Sequence, residues 1–168
     1  MTKSQGKVSA GLLMYRTREG RLEVFLAHPG GLFFKNKDDG HWSIPKGEIG
    51  PTEEPLDAAK REFEEEVGLA PGGDFIPLGA IRQKGGKIVH GWAFAGDWDD
   101  SRVLQSNTFE MEWPPRSGRR QSFPEVDRVG FFTLPEARRK MKETQHPFLD
   151  RLQEKLALDD GRSASVRS

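Results

Sequence analysis

The sequence predicts an α/β domain in which a mixed β-sheet is packed between α-helices. Apolar runs of strand length occur both before and after one amphipathic helix, so we expect a sheet covered by helices. The 19 glycines and 11 prolines favour many turns over a helical bundle. The length of 168 residues suits one domain, which we place at residues 1–158. Residues 159–168 contain few apolar side chains, and we expect them to form a disordered tail.

The first half of the chain predicts a β-hairpin followed by a helix. Residues 8–15 and 22–28 are apolar runs that flank a turn at Glu19-Gly20. Residues 42–45 form a short extended piece after a polar loop. From 55 to 67 the apolar side chains recur at spacings of three and four, which is typical of a helix. Pro55 suits the first turn of that helix, and Gly68 suits the position just after its end.

The second half predicts another hairpin, a long insertion and a helical C-terminal part. Residues 75–83 and 87–95 are strand-like runs around a glycine pair, and residues 129–134 form a further short strand. We expect helices at 135–142 and 147–158, each opened by a proline. Residues 97–123, which we call the insertion, separate the second hairpin from the strand at 129–134. Prolines and Gly118 predict an irregular loop at residues 114–128, and such a loop can lie over a functional site.

Charge and composition argue against several classes of protein. Lys and Arg total 26 and Asp and Glu total 26, so the formal net charge is zero and we expect no nucleic-acid partner. The chain has no cysteine, which excludes disulfides and thiolate metal sites. It has no run of ~20 apolar residues, and its start lacks the apolar segment of a signal peptide. We therefore expect a cytoplasmic protein with no membrane partner.

The predicted helix at 55–67 carries an unusual concentration of acids. Residues 48–66 contain eight acidic side chains and only two basic ones. Glu62, Glu65 and Glu66 fall at i, i+3 and i+4, so they project from one side of the helix as like charges. Acids near the C-terminal end also oppose the helix dipole. A solvated acidic surface explains such a pattern, and so does a hard divalent cation such as Mg²⁺ that compensates the charges.

The order of residues around this helix resembles the Nudix box. The box reads Gly-x5-Glu-x7-Arg-Glu-U-x-Glu-Glu-x-Gly-U, where U is apolar. The chain matches all nine defined positions of this 23-residue pattern, with Gly47, Glu53, Arg61-Glu62-Phe63, Glu65-Glu66 and Gly68-Leu69. The preceding segment, Trp-Ser-Ile-Pro-Lys-Gly-Glu at 42–48, is similar to that of MutT-like and dinucleoside-polyphosphate members. The resemblance covers about residues 7–157 and implies the Nudix fold.

The resemblance also implies an enzyme and its metal site. Nudix hydrolases cleave a nucleoside diphosphate linked to another group, with Mg²⁺ or Mn²⁺ holding the phosphates. By resemblance, Glu62, Glu65 and Glu66 are the metal ligands, and Glu65 is also a base. The backbone at Lys46 and Gly47 is expected to contribute a carbonyl oxygen.

Further catalytic roles are implied outside this ligand set. Glu53 and Arg61 are expected to form a supporting ion pair that attaches the loop to the helix. Many family members add an acid from a late loop, and Glu125 is the best candidate here. The alternatives for that acid are Glu110, Glu112 and Asp127.

Several side chains are candidates for binding the substrate. Two basic clusters, one at Arg82, Lys84 and Lys87 and the other at Arg116, Arg119 and Arg120, could neutralise phosphates, although solvated loops explain them equally well. Lys46 adjoins the metal loop, and Trp42 could stack on a base. We predict substrate contacts for Lys46, Trp42, Arg82, Arg119 and Arg120.

The substrate is predicted by elimination. Dinucleoside-polyphosphate hydrolases often have a tyrosine sixteen to eighteen residues after the box, and ADP-ribose hydrolases often have a proline there; residues 85–87 contain neither. A nucleoside-triphosphate pyrophosphohydrolase is therefore the first interpretation. A dinucleoside-polyphosphate (Ap4A-type) hydrolase is the second, because of the Pro-Lys-Gly segment. An RNA 5′ pyrophosphohydrolase and a non-catalytic Nudix-fold binding module stay open, and we expect a monomer or homodimer.

Overall fold

A six-stranded mixed β-sheet forms the centre of the molecule. The computed structural model describes the backbone of residues 7–167 and the side chains of residues 7–157. Within these residues the strands are β1 (Val8–Arg18), β2 (Arg21–Pro29), β3 (Lys46–Glu48), β4 (Ile76–Arg82), β5 (Ile88–Ala95), β6 (Thr108–Glu112), β7 (Arg120–Pro124) and β8 (Val126–Thr133). The helices are α1 (Pro55–Val67), α2 (Leu134–Lys140) and α3 (His146–Arg167), with short 3₁₀ turns at Lys84–Gly86 and Glu143–Gln145.

Strand β1 organises the sheet. The order is β4-β5-β1-β2-β8, and β1 runs parallel to β5 and antiparallel to β2. One edge of β1 is divided between two partners, because residues 9–11 pair with β3 and residues 15–18 pair with β2. The predicted hairpins β1–β2 and β4–β5 are both confirmed. The division of the β1 edge brings the short strand β3 into the sheet beside α1.

The helices cover both faces of the sheet. Successive side chains of a strand point to opposite faces, and Leu12 and Leu13 accordingly belong to different cores. Leu12 packs in the cluster that contains Phe63 of α1, and Leu13 packs in the cluster that contains Leu149 of α3. The predicted α/β architecture, a mixed sheet between helices, is confirmed.

Helix α1 has the bounds that the sequence predicts, residues 55–67. Pro55 lies in its first turn, and the fully buried Phe63 and Val67 face the core. Gly68 ends the helix in the left-handed region at φ 84°, and its N–H donates to the Glu64 carbonyl at 2.8 Å. The last turn contains no basic side chain, so the acidic end described by the sequence is retained.

The prediction of an irregular loop at 114–128 is wrong for most of that segment. Residues 120–124 form β7, which pairs with β6 as a two-stranded sheet, and β8 begins at Val126. Pro114 and Gly118 lie in the turn of this hairpin, so they do not interrupt its strands. The Glu112 carboxylate accepts hydrogen bonds from the N–H groups of Arg116 and Gly118. Glu125 is the one residue between β7 and β8.

Other predicted bounds differ by a few residues. β8 starts three residues before the predicted 129, and α2 ends two residues before the predicted 142. The backbone of α3 extends to Arg167, but the side chains of 158–168 lie outside the described residues, so the disordered tail stays a prediction. Among the described helices, none is both long and apolar enough to cross a membrane.

Candidate active site

A cleft of about 440 Å³ opens between α1, β3 and the segments that surround them. Five of its lining residues are glutamates, and they come from separate parts of the chain. The lining residues are Lys7, Ser9, Lys46, Gly47, Glu48, Glu62, Glu65, Glu66, Gln83, Lys87, Asn107 and Glu125. The structure therefore brings together the three glutamates of the α1 face, the Lys46-Gly47 segment and Glu125, as the sequence predicts.

Strand β3 brings the Lys46-Gly47 segment against α1. Gly47 pairs with Ala10 of β1, and the flanking backbone is held by hydrogen bonds from Leu12 N to Pro45 O and from Ile49 N to Val8 O. A methyl group on Gly47 would overlap the Glu62 carboxylate. Glycine at this position thus gives the Glu62 carboxylate room to lie directly against the strand.

Arg61 links the loop before α1 to the acidic face. Its Nε and Nη2 donate to the two carboxylate oxygens of Glu53 at 2.8 and 2.9 Å, the predicted ion pair. Its Nη1 also donates to Glu62 at 2.9 Å and to Glu65 at 3.2 Å. The Gly50 N–H donates to Glu53 at 3.0 Å. Arg61 therefore holds two candidate metal ligands as well as the loop.

The remaining carboxylates of the cleft repel one another. Burial and the neighbouring Glu62 charge raise the pKa of Glu66 to about 9, and Lys46 only partly opposes this. Burial, followed by the Glu62 charge, also raises the pKa of Glu125. Burial lowers the pKa of Lys46, and the nearby Lys142 adds to that effect. The cleft thus concentrates more negative charge than its own cations compensate.

Glu125 reaches the cleft because its backbone is fixed on both sides. Its N–H donates to the Asn107 carbonyl at 2.8 Å, and its carbonyl accepts from Gly30 N at 2.9 Å. The three alternatives for the late-loop acid have other partners. Glu110 pairs with Arg120, Glu112 accepts hydrogen bonds from the β6–β7 turn, and Asp127 contacts the His28 ring at 2.7 Å.

The insertion packs against the C-terminal end of α1. Asn107 N donates to the Glu65 carbonyl at 2.9 Å, and Arg102 Nη2 donates to the Gly68 carbonyl at 2.8 Å. Arg102 is a cation at a helix end that has none in its own last turn. The insertion therefore compensates the end of the acidic helix and places Asn107 on the cleft wall.

Four predicted substrate contacts lie away from the cleft. Trp42 is 5% exposed and packs in the core near Phe132, with its Nε1 donating to Asp38, so its ring is not available for stacking on a base. Arg82 is exposed but does not line the cleft, and the next side chain, Gln83, does. Arg119 and Arg120 lie on the β6–β7 hairpin outside the cleft, where Arg120 pairs with Glu110 at 3.1 Å.

Several residues of the cleft and its surroundings are not among the predicted site residues. Lys87 lines the cleft and belongs to a basic cluster that the sequence had already indicated. Gln83, Asn107 and Lys142 carried no motif that could identify them. Lys142 approaches Lys46 only through the packing of the α2–α3 connection, because its N–H donates to the Trp42 carbonyl at 2.9 Å.

The chemistry of the donor set fits a divalent cation. Carboxylate and carbonyl oxygens are the ligands that Mg²⁺ prefers. Burial, followed by the Glu62 charge, raises the pKa of Glu66, and a bound cation would favour the ionised form of that carboxyl. In the described part of the chain no three acidic or histidine side chains are arranged to hold an ion, and Glu62 and Glu65 instead contact Arg61. Arg61 therefore compensates the charge of these two carboxylates in the present conformation.

Solved structures of similar fold support this description. The Ap4A hydrolase of C. elegans, in a binary complex, is 21% identical with a TM-score of 0.60, over 90% of this chain and 98% of that one. The NUDIX domain of NrtR from Shewanella oneidensis, complexed with ADP ribose, is 16% identical with a TM-score of 0.63, over 92% and 90%. A MutT/nudix family protein from Listeria innocua is 17% identical with a TM-score of 0.60, over 94% and 98%. At such low sequence identities, the structural similarity to these proteins establishes the fold alone.

The family itself is shown by the sequence profile of the NUDIX domain, which matches residues 6–152. No curated protein sequence matches the chain at a significant level. Hydrolases of this family generally use divalent metal ions. The chain therefore belongs to the Nudix family and is a hydrolase of the class that acts on phosphoric anhydride bonds.

Proposed function

We propose that this chain is a metal-dependent hydrolase of a nucleoside diphosphate linked to another group, and that nucleoside triphosphates are its substrates, with pyrophosphate as a product. The observation that carries the proposal is the convergence of Glu62, Glu65, Glu66 and Glu125 on one open cleft next to Lys46. Oxygen ligands, an adjacent cation and an open wall suit a phosphate chain. A cytoplasmic location and a monomer or homodimer remain part of the proposal.

The residues have separate roles in this mechanism. Glu62, Glu65 and Glu66, with a backbone carbonyl at Lys46-Gly47, would hold Mg²⁺ or Mn²⁺. The ion, when bound, neutralises phosphoryl oxygens and makes an attacking water more acidic. We assign Lys46 to a phosphate oxygen because it lines the cleft, and the pair of Glu53 and Arg61 connects the loop to the helix.

The reaction is an addition of water across a phosphoric anhydride. The water oxygen forms a bond to one phosphorus, the bridging P–O bond breaks, and its electron pair leaves with the second phosphate group. Glu65 or Glu125 accepts the proton that the water loses, since both carboxylates line the cleft. The two products separate as anions.

Dinucleoside polyphosphates are the second candidate substrates. The fold likeness to the Ap4A hydrolase of C. elegans supports this class, and so does the Pro-Lys-Gly segment that leads into the box. The ADP-ribose complex of the Shewanella domain belongs to the same chemical class, a nucleoside diphosphate linked to another group. An RNA 5′ end is less favoured because the net charge is zero, and a binding-only module is less favoured because every box carboxylate is present.

A substrate screen with Mg²⁺ tests the proposal. Nucleoside triphosphates, ADP-ribose and diadenosine tetraphosphate are incubated with the protein, and released pyrophosphate, phosphate and nucleotides are separated by chromatography. We expect pyrophosphate and nucleoside monophosphate from the triphosphates, and no turnover in excess chelator. Glu65→Gln should lower kcat by roughly a hundredfold or more, whereas Glu64→Gln, exposed on the same helix, should match the wild type. Full turnover in chelator, or wild-type activity of Glu65→Gln, would contradict the proposal.

A further inference from the structure

A second groove, which we call the basic groove, adjoins the acidic cleft. It lies between the turn after β4 and the connection from α2 to α3, and its volume is about 910 Å³. Its lining includes five basic side chains, Lys84, Lys87, Arg138, Arg139 and Lys142, and two histidines, His41 and His146. Gln83 and Lys87 line both cavities, so the basic groove lies directly beside the cleft.

The lysines of the basic groove are not neutralised by the protein. Among the described residues, none of Lys84, Lys87 and Lys142 has an acidic partner within 4.0 Å, and Glu143 is the only acid in the lining. The two arginines differ, because Arg138 pairs with Asp150 and Arg139 with Asp39. Burial and the nearby charge of Lys87 lower the pKa of Lys142. Uncompensated ammonium groups are thus held close together in a molecule whose net charge is zero.

The walls of the basic groove are held by buried hydrogen bonds. Gln145, which is fully buried, accepts from Ile44 N at 3.0 Å and donates to Gln83 Oε1 at 2.9 Å. The Lys142 N–H donates to the Trp42 carbonyl at 2.9 Å. His146, at the start of α3, has a buried Nε2 with no hydrogen-bond partner among the described residues. The groove is therefore preorganised, and one of its lining side chains retains an unused polar atom.

We infer that the basic groove binds phosphate groups of the substrate that lie beyond those held in the acidic cleft. The inference rests on the proposed function, because the cleft is where the scissile anhydride would sit. Ammonium groups are good partners for phosphate oxygens, and an anion removes the repulsion among crowded lysines. Because Lys87 lines both cavities, it is placed between the glutamates and the other lysines, where one phosphate chain could contact both groups. Nucleotides with four or more phosphates, with or without a second nucleoside, would occupy both the cleft and the basic groove, whereas a nucleoside triphosphate would occupy the cleft alone.

Binding of inorganic tripolyphosphate tests the groove independently of catalysis. Isothermal titration calorimetry is carried out in excess chelator on the full chain and on Lys84→Ala/Lys142→Ala. Both lysines line the basic groove, and neither lines the cleft. We expect the dissociation constant to rise roughly tenfold or more in the double variant, since hydrogen bonds to charged groups are lost. Lys155→Ala, which removes an exposed charge outside both cavities, should bind as the wild type does. Lys84→Ala alone provides a milder variant whose folding is checked by circular dichroism.

Kinetics with Mg²⁺ then identify the source of the phosphates. For adenosine 5′-tetraphosphate and diadenosine tetraphosphate we expect the double variant to raise KM roughly tenfold, with ATP changed less than twofold. An equal effect on both tetraphosphates assigns the groove to the phosphate chain, and an effect on the diadenosine compound alone assigns it to a dinucleotide. The inference would be overturned if the double variant bound tripolyphosphate as tightly as the wild type does. It would also be overturned if the KM for ATP rose as much as the KM for the tetraphosphates, or if only 5′-triphosphorylated RNA were affected. Absence of hydrolysis with normal tripolyphosphate binding would instead reject the proposed function.

Discussion

At Gly47 the absence of a side chain determines where the Glu62 carboxylate lies. In Gly47→Ala the added methyl group would displace this carboxylate, because the two overlap, while the pairing of β3 with β1 is unaffected. We expect metal affinity or kcat to fall about 10–100-fold, as it does when the support of a ligand changes. Thermal unfolding should change little.

Gly72→Ala is the matched control for Gly47→Ala. No heavy atom lies within 4 Å of the Cβ it would add, so its kinetics and Tm should equal those of the wild type. A Gly47→Ala protein with wild-type kcat and wild-type Mg²⁺ dependence would show that Glu62 does not need its present position.

The pair of Glu53 and Arg61 supports the candidate metal ligands and does not itself take part in the reaction. The Arg61 hydrogen bonds, followed by that from Gly50 N–H, lower the pKa of Glu53 to about 2, so Glu53 is ionised at neutral pH. Glu53→Gln keeps the size but removes the charge that holds Arg61, which also contacts Glu62 and Glu65. We expect metal affinity or kcat to fall about 10–100-fold, measured by titrating activity with Mg²⁺.

The neighbouring acid provides a control for this change. Glu54 is exposed and makes no side-chain cap to α1, so Glu54→Gln should leave the Mg²⁺ titration unchanged. If both variants behave alike, the ion pair of Glu53 with Arg61 has no role in the site.

At the scale of elements, the β7–β8 junction brings Glu125 to α1. Glu125→Gln should reduce kcat more than it changes KM, because the carboxylate shares the cleft with the candidate metal ligands and lies close enough to Glu62 to be affected by its charge. Steady-state kinetics at saturating Mg²⁺ measure both parameters. Glu110→Gln removes the same charge from the nearby hairpin and should be neutral, since Glu110 does not line the cleft. A KM effect without loss of kcat would assign Glu125 to substrate binding.

The insertion, which leads into the β6–β7 hairpin, contacts the C-terminal end of α1. Residues 102–107 donate hydrogen bonds to carbonyls at the end of the acidic helix, and Glu125 in turn donates to Asn107. These contacts explain how a helix with no basic residue in its last turn is accommodated. The arginines of the hairpin do not line the cleft, so we retain no substrate role for Arg119 and Arg120.

At the scale of the whole molecule, cation binding should be coupled to stability. The cleft concentrates carboxylates in the folded state only, so Mg²⁺ should raise Tm, by an amount equivalent to about 2.7 kcal/mol at one hundred times its Kd. In Glu66→Gln a neutral amide of similar size replaces the carboxylate whose pKa is raised. We expect this variant to be as stable as the wild type in chelator and to lose most of the Mg²⁺-dependent rise in Tm.

Thermal scans in chelator and in Mg²⁺ measure this coupling. Glu64→Gln is the control, because that side chain is exposed on the same helix and does not line the cleft. If Mg²⁺ raised the Tm of Glu66→Gln as much as it raises that of the wild type, the ion would bind elsewhere.

The zero net charge of the chain conceals a division into an acidic cleft and a basic groove. Composition alone excluded a general basic surface, but it could not reveal that cations from two distant segments meet beside the glutamates. A net charge is a sum over the chain, whereas the local field depends on which charges fold together.

Local patterns in the sequence determined the helix at 55–67, the two main hairpins and the placement of three glutamates on one face, because helix and strand periodicities act over a few residues. The resemblance to the Nudix box also predicted the contact of Glu53 with Arg61. Tertiary structure alone decided that β6 and β7 pair, that Trp42 is enclosed in the core, and that Lys87 and Lys142 approach the cleft. These outcomes depend on contacts between residues far apart in the chain, and such contacts form only when the sheet and its covering helices are assembled.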